Sequence, residues 1–350
     1  MPIGSPKIGG RDVRELSRGK PREHSPVATS ARDAGPARSN QQPNTPSMPR
    51  PAATVMLVRD CPTNDRTDGD PSDPGLLEVL MVKRNAQANF VAGAFVFPGG
   101  SVDVQDADPC VEEICIGRTD EQASSVLGIE SGGLAYWVAA IRECFEEAGV
   151  LLAYDSDHDT SSTPSGPPAP KLLSLANLDR AARFVNHRQA LLDGRVTLVE
   201  ICEREHLKLA VDRIEYFSHW ITPEGAPRRF DTRFFVAPCP EGQAALHDAG
   251  ETVAHVWIKP LQALASQREG GMELVFPTMR SLEAIGRFSS SEELLGYARQ
   301  ATGIQTFQPK VIADGNGVRI LLPGDETVEI ESLPAGTFPL PKGGFRTGAL

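Results

Sequence analysis

The chain has 350 residues, of which 40% are apolar and 23% charged, enough for one large or two small soluble domains. A formal net charge of -11 leaves no surplus of Lys and Arg to neutralise phosphates, which argues against a general nucleic-acid binder. A phosphorylated small molecule would instead need a metal or a local basic pocket. Six cysteines are scattered without a CxxC pair, the pattern of free thiols in a reducing compartment.

In chain order, residues 1–50 come first, rich in Pro, Ser, Gly and Arg. They hold nine Lys or Arg against four acids, which leaves -16 on the remainder. Such a segment buries too little apolar surface to offset its ordering entropy, so disorder is expected, and it lacks the apolar core of a signal peptide. No run of 18 apolar residues occurs, so no membrane span is expected. The last residues, TGAL, are not a peroxisomal address, and a cytoplasmic location is the expectation.

"ATVMLVRD" from Ala53 reads as a strand and "LLEVLMVKR" as a second, together a hairpin across a long polar loop. "AFVFPGG" is a short strand ending at Pro98-Gly99-Gly100, a sharp turn where backbone can approach a ligand. After the helix discussed next, a flexible loop and two helices follow ("SLANLDRAARFVNHRQALLDG" and "TLVEICEREHLKLA"). They form an insertion that either shapes the site or serves packing. "EYFSHWITP" and "RRFDTRFFVAP" are extended. Arg228, Arg229 and Arg233 there match phosphate in guanidinium geometry, against the plainer reading of a solvated strand face. "ETVAHVWIKPLQAL" gives a strand and helix, opened by Glu251, with Glu241 and Asp248 as competing acids. "LVFPTMRSLEAIGRF" is a helix, and "VIADGNGVRILLPGDETVEI" a hairpin turning at Asn316-Gly317 that would extend a sheet edge. His187, His206 and His219 have no metal-ligand spacing and read as packing or surface residues. The domain boundaries expected are 1–50 disordered, 51–300 the main domain with insertions at about 107–131 and 155–210, and 301–350 a hairpin with a loose tail.

The informative stretch is "AAIRECFEEAGVLL", Ala139 to Leu152. At 100° per residue, Leu134, Trp137, Val138, Ile141, Phe145 and Ala148 fall within about 100° of arc, an apolar stripe. Glu143, Glu146 and Glu147 lie opposite, within a similar arc, and Gly149 sits at the C-terminal cap. Three acids at i,i+3 and i,i+4 repel one another, by a few tenths of a kcal/mol per exposed pair. A hard divalent cation would turn that repulsion into coordination; the alternative is a solvated acidic face.

Together with "FVFPGG", this stretch resembles the box of the Nudix hydrolases: G, five residues, E, seven residues, then R-E-U-x-E-E-x-G-U with U apolar. Gly100 matches the glycine, with Asp106 where the family has Glu. Arg142, Glu143, Cys144, Glu146, Glu147, Gly149 and Val150 match the second half. Between Asp106 and Arg142 lie 35 residues rather than seven, so the box is split by about 28 residues. The split, the following D-x-x-D pattern and the segments "VLMVKRNAQANFVAGAFVFPGGSVD" and "HWITPEGAPRRFDTRFFVAPCP" resemble the coenzyme A diphosphatase-like branch.

The resemblance implies an α/β fold with a mixed β-sheet sandwiched between α-helices, one insertion splitting the box and one helical insertion after the helix. It implies Mg²⁺- or Mn²⁺-dependent hydrolysis of a pyrophosphate linkage in a small nucleotide, most readily coenzyme A or acyl-coenzyme A. ADP-ribose or a dinucleotide, or a Nudix-like regulatory binding module, are the alternatives. By residue-wise carry-over, Glu146 and Glu147 are metal ligands and Glu143 is a ligand or general base. Arg142 orients the carboxylates through an ion pair, expected to Asp106. Glu251 is a further ligand, and Gly99 and Gly100 lend backbone to metal or phosphate. Arg84, Arg228 and Arg229 are candidates for the extra charge of a 3′-phosphate. The box insertion is expected to be a surface excursion, and the helix acids to have no structural duty. No nucleic-acid or membrane partner is implied.

Overall fold

A computed structural model describes residues 48–61, 77–87, 91–155, 171–314 and 317–322. The expected disorder of residues 1–50 falls almost wholly outside these residues, as do the polar loop at 62–76, the loop at 156–170, Asn316 of the hairpin turn, and the tail after 322.

The sheet grows around β1 (Arg50–Asp60). This strand is apolar on both faces because both are covered. Ala53, Val55 and Leu57 enter one core cluster, and Met56 and Val58 enter the other, as the two-residue period of a strand requires. On one edge β1 pairs in parallel with β8 (Phe230–Pro238). Its other edge is shared. The N-terminal half pairs with β4 (Gly99–Ser101), Thr54 opposite Gly99 and Ala53 opposite Gly100, and the C-terminal half pairs with β2 (Leu77–Arg84). The glycine turn is thereby laid beside the middle of the sheet. β2 also pairs with β3 (Phe95–Val96) and β9 (Thr252–Ile258), while β7 (Glu215–Ile221) and β10 (Thr306–Phe307) extend the sheet beyond β8. Among the described residues the order is β10-β7-β8-β1-β2-β3, with β4 on β1 and β9 on β2.

One face is covered by α3 (Leu134–Ala148), with α1 (Val111–Ile114), α2 (Asp120–Leu127), α4 (Leu178–Leu192) and α5 (Leu198–Arg204) around it. The other face is covered by α6 (Pro260–Arg268), α7 (Phe276–Ile285) and α8 (Ser291–Gln300). This is the expected mixed sheet between helices. The second insertion helix ends at Arg204, earlier than its apolar pattern suggests. His206 adopts φ +52°, and the chain enters β6 (Leu207–Leu209), which pairs with β5 (Ala153–Asp155). The C-terminal hairpin, β11 (Lys310–Asp314) with β12 (Gly317–Leu321), is a separate two-stranded sheet rather than an extension of the main one.

The box insertion is not a surface excursion. Val111, Ile114, Ala123 and Leu127 are buried in the same cluster as α3. The start of α3 is also held by α2: the Asp120 carboxylate accepts from Gly132 N and Leu134 N, each at 2.9 Å, and Ser124 Oγ accepts from Gly133 N at 2.9 Å. An acid at a helix N-terminus satisfies free N–H groups and favours the helix dipole. Gly133 makes this closeness possible. Its backbone is ordinary (φ -65°), but a Cβ would lie 2.5 Å from Ala123 carbonyl carbon and from Ser124 Cα. Gly133→Ala is therefore expected to destabilise the chain by about 1–3 kcal/mol through overpacking, despite alanine's better helix propensity. Urea unfolding measures this, and an unchanged or raised midpoint would show that α2 does not press on α3.

Candidate active site

The glycine turn and the end of α3 meet face to face. Pro98 O accepts from Val55 N at 2.9 Å, which fixes the turn on β1. Gly99 N then donates to Glu147 Oε2 at 3.0 Å. A Cβ on Gly100 would lie 2.6 Å from Glu143 Cδ, so only glycine allows that carboxylate to lie against the strand.

Arg142 joins the two halves of the split motif. Its Nε and Nη2 donate to Asp106 Oδ1 and Oδ2, both at 2.9 Å, and Nη2 also donates to Ser101 O at 2.8 Å. Nη1 donates to Glu143 Oε1 and Glu146 Oε2, each at 2.9 Å. Asp106 is 2% exposed and also accepts from Asp103 N at 2.8 Å, while the Asp103 carboxylate lies 3.7 Å from Arg142 Nη2. Asp103 was legible only as the first member of the D-x-x-D pattern.

Glu147 is buried, and its Oε1 has no hydrogen-bond partner. Arg84 Nη1 lies 3.6 Å from that atom, and Arg84 Nη2 lies 3.8 Å from Glu251 Oε2, whose side chain is 71% exposed at the rim. Glu251 is placed by its own loop. Asp248 accepts from the N–H groups of Gly250, Glu251 and Thr252, so its carboxylate is engaged in shaping the turn. The C-terminal carbonyls of α3 are also held from outside. Arg188 of α4 donates to Glu146 O at 2.9 and 2.7 Å, Thr252 Oγ1 to Glu147 O at 3.2 Å, and Leu246 N to Ala148 O at 2.8 Å. Asp120, Arg188 and Thr252 carry no motif signal, since each acts through a contact distant in sequence.

Burial governs the titration of these acids. It pushes Glu143 up to about 7, with Glu146 adding to the rise and Arg142 opposing it. It raises Glu146 against the pull of Arg142, and raises Glu147 well above the carboxylate range, helped by Glu143 and opposed by Gly99 N–H and Arg84. Burial also disfavours the Arg142 cation, but Asp106, Glu143 and Glu146 outweigh it and hold the guanidinium charged.

The residues fit a hard divalent cation in their chemistry. The donors are all carboxylates, two of them share one Arg142 nitrogen as neighbours, one buried oxygen of Glu147 is orphaned, and the glycine backbone leaves the approach clear. Among the described residues no three His, Cys, Asp or Glu side chains already converge in cation-binding geometry. Arg142 engages one oxygen each of Glu143 and Glu146, and Gly99 N one oxygen of Glu147.

One expectation is corrected, and the candidate arginines are located. The acids are not a solvated face without structural duty: Glu147 is buried against Gly99, and Glu143 and Glu146 side chains are only 14% and 16% exposed. Arg229 is buried and donates through Nε to Thr222 O in its own hairpin, while the exposed Arg228 precedes it. The pair sits at the start of β8, where Arg229 O meets Arg50 N, three positions before the register of Ala53 and Gly100. Arg233 is buried too, bonded to Asp231 at 3.0 Å and facing the Tyr136 ring at 5.5 Å. Of the proposed arginines, the structure brings Arg84 to the carboxylates.

A mixed sheet between helices, with a glycine turn against an R-E-x-x-E-E helix, is matched in known proteins by Nudix hydrolases, and these matches indicate a Nudix pyrophosphohydrolase. The family described as NUDT19 Nudix domain matches residues 115–285. Among curated relatives, acyl-coenzyme A diphosphatase NUDT19 of Gallus gallus is 28% identical over 310 residues, covering 79% of both chains. Its Homo sapiens counterpart is 27% identical over 318 residues, covering 80% of both. A crystal structure of a Nudix hydrolase from Alicyclobacillus acidocaldarius has the same fold, with a TM-score of 0.51 and 23% identity, covering 74% of this chain and 99% of that one.

The raised acids make a signed prediction for the protein in chelator. A carboxyl whose folded pKa exceeds its unfolded value stays protonated after the unfolded one ionises, so stability falls as pH rises between the two. For Glu143 the window runs from 4.5 to about 7. Relative to Glu143→Gln, which cannot ionise, the parent chain should lose stability across this window and level off above it. Urea unfolding of both proteins from pH 4.5 to 8 reads the difference; a difference that stays flat would mean Glu143 is ionised throughout.

Proposed function

We propose that this chain hydrolyses the diphosphate of coenzyme A or an acyl derivative, using Mg²⁺ or Mn²⁺. The observation that supports it is the match to relatives named as acyl-coenzyme A diphosphatases along about four fifths of both chains. Glu143, Glu146 and Glu147 would hold the cation, with Glu251 at the rim. When bound, such a cation supplies charge neutralisation and Lewis acidity to the diphosphate.

The chain's own groups do the rest. Arg142 fixes the directions of the Glu143 and Glu146 carboxylates. Glu143, oriented by Arg142 beside Glu146, is the group proposed to take a proton from the attacking water if it is not itself a ligand. The Gly99 and Gly100 backbone bounds the space in which the phosphates approach. Water adds to one phosphorus, the bond to the bridging oxygen breaks, and the other phosphate departs, giving 3′-phospho-AMP and a phosphopantetheine.

The test is a panel of coenzyme A, an acyl-coenzyme A, ADP-ribose and a dinucleotide, run with Mg²⁺, Mn²⁺ or chelator and with products resolved by mass. Coenzyme A or its acyl form should be cleaved fastest and only with metal, and Glu147→Gln should abolish turnover. Faster cleavage of ADP-ribose or a dinucleotide would overturn the substrate and leave the family intact; activity retained by Glu147→Gln would overturn the ligand assignment.

Arg84 lies between Glu147 and Glu251, and in this reading it would serve the scissile diphosphate rather than a remote 3′-phosphate. Arg84→Ala should therefore weaken coenzyme A and ADP-ribose equally in kcat/KM, each by about 1.5–3 kcal/mol for a lost charged hydrogen bond. A loss confined to coenzyme A would return Arg84 to the 3′-phosphate.

A further inference from the structure

The helical insertion carries an open surface cleft of about 610 Å³ lined by Asp155, Asn177, Arg180, Arg183, Arg204, Glu205 and His206. Three guanidiniums and two carboxylates line it, with Glu200 at the 4.0 Å limit of an ion pair to Arg204 and Asp179 near Arg183 at its edge. We propose that this cleft is a second anion site, separate from the carboxylate site, and that its ligand is a compact anion bearing phosphate groups.

The charges are arranged for such a guest. Arg180 is held by Asp155, lies over the Phe184 ring at 5.8 Å, and has a buried Nε without a hydrogen-bond partner. Arg183 is bonded by Nε and Nη2 to Glu205, which also meets His187 at 2.9 Å. These pairs fix the guanidiniums in place, so little side-chain entropy is left to lose when a ligand binds. Arg204 is freer. Its side chain is 54% exposed, with Glu200 at the 4.0 Å limit of an ion pair. His206 lines the same space from a left-handed backbone position (φ +52°), which His adopts more readily than most side chains. Asn177 caps the 15-residue α4, so the positive end of that helix faces the same space.

The lining also limits the ligand. Among the described lining residues His206 is the one aromatic, and the others are charged or polar, which favours a compact anion over a nucleobase. The volume exceeds what one phosphate fills, and three guanidiniums match two or more phosphate groups. The site adjoins α3 through α4, whose Phe184 packs edge-on to Phe145 and whose Arg188 holds Glu146 O. The proposal does not depend on which diphosphate the enzyme cleaves.

The test is calorimetric titration of the full chain in chelator with pyrophosphate, inorganic phosphate and ADP. Pyrophosphate should bind the parent chain and Glu147→Gln alike. Arg204→Glu should weaken it at least tenfold, and His206→Gly should weaken it to a lesser degree, with thermal unfolding unchanged to show that both variants fold. Inorganic phosphate should bind more weakly than pyrophosphate, and ADP no more tightly. No binding to the parent chain by about 10 mM pyrophosphate, equal affinity in Arg204→Glu, or loss in Glu147→Gln would overturn the site. ADP binding more than tenfold tighter than pyrophosphate and lost in Arg204→Glu would overturn the compact anion in favour of a nucleotide.

Discussion

The buried guanidinium of Arg142 is the constraint on which the site depends. Its donors go to Asp106 and Ser101 on one side of the insertion, and to Glu143 and Glu146 on the other. A charge this buried is tolerable only when it is paired on all sides, and removing one partner from such a group typically costs about 3–5 kcal/mol. The same constraint accommodates the departure at position 106. The Asp carboxylate meets two guanidinium nitrogens at once and accepts from Asp103 N, so the three-residue Asp103-to-Asp106 turn holds the shorter acid in place.

The insertions that interrupt the motif are part of what holds it. α3 begins on Asp120 and Ser124 of the box insertion and ends under Arg188 of the helical insertion and the Leu246–Thr252 loop. A helix leaves four N–H and four C=O groups without internal partners. Here parts of the chain more than a hundred residues apart supply those partners. The long excursion between the box halves is compatible with the fold because loop closure grows only slowly with length, and because its apolar residues are returned to the core.

Local rules are broken where the chemistry is expected. Three acids crowd one side of a helix, one of them buried with an unsatisfied oxygen, and burial raises the pKa of all three. Arg142 answers part of that repulsion and Arg84 stands at the edge of it. Such local conflicts inside a consistent fold are characteristic of functional sites. A divalent cation would relieve this one directly.

The strands around Val55 and Leu80, the helix from Leu134 to Ala148 and the box residues were legible because each is written in adjacent or periodic positions. Apolar alternation marks a strand, the 100° stripe marks the helix, and R-E-x-x-E-E carries its spacing in one turn and a half. The sequence alone also determined that Asp106 replaces a longer acid and that the box is split. It did not determine which side of the helix is dry. Periodicity separated acids from apolar residues, but burial of Glu147 followed from the glycine turn that β1 lays against it. Arg229 and Arg233 were readable as phosphate contacts or as a solvated face; the Arg229 partner, Thr222 O, is set by the hairpin, while the Arg233 partner, Asp231, lies two residues away on the same strand. The roles of Asp120, Arg188 and Thr252 were likewise decided only by tertiary structure, because a contact between residues far apart in the chain leaves no periodic trace along it.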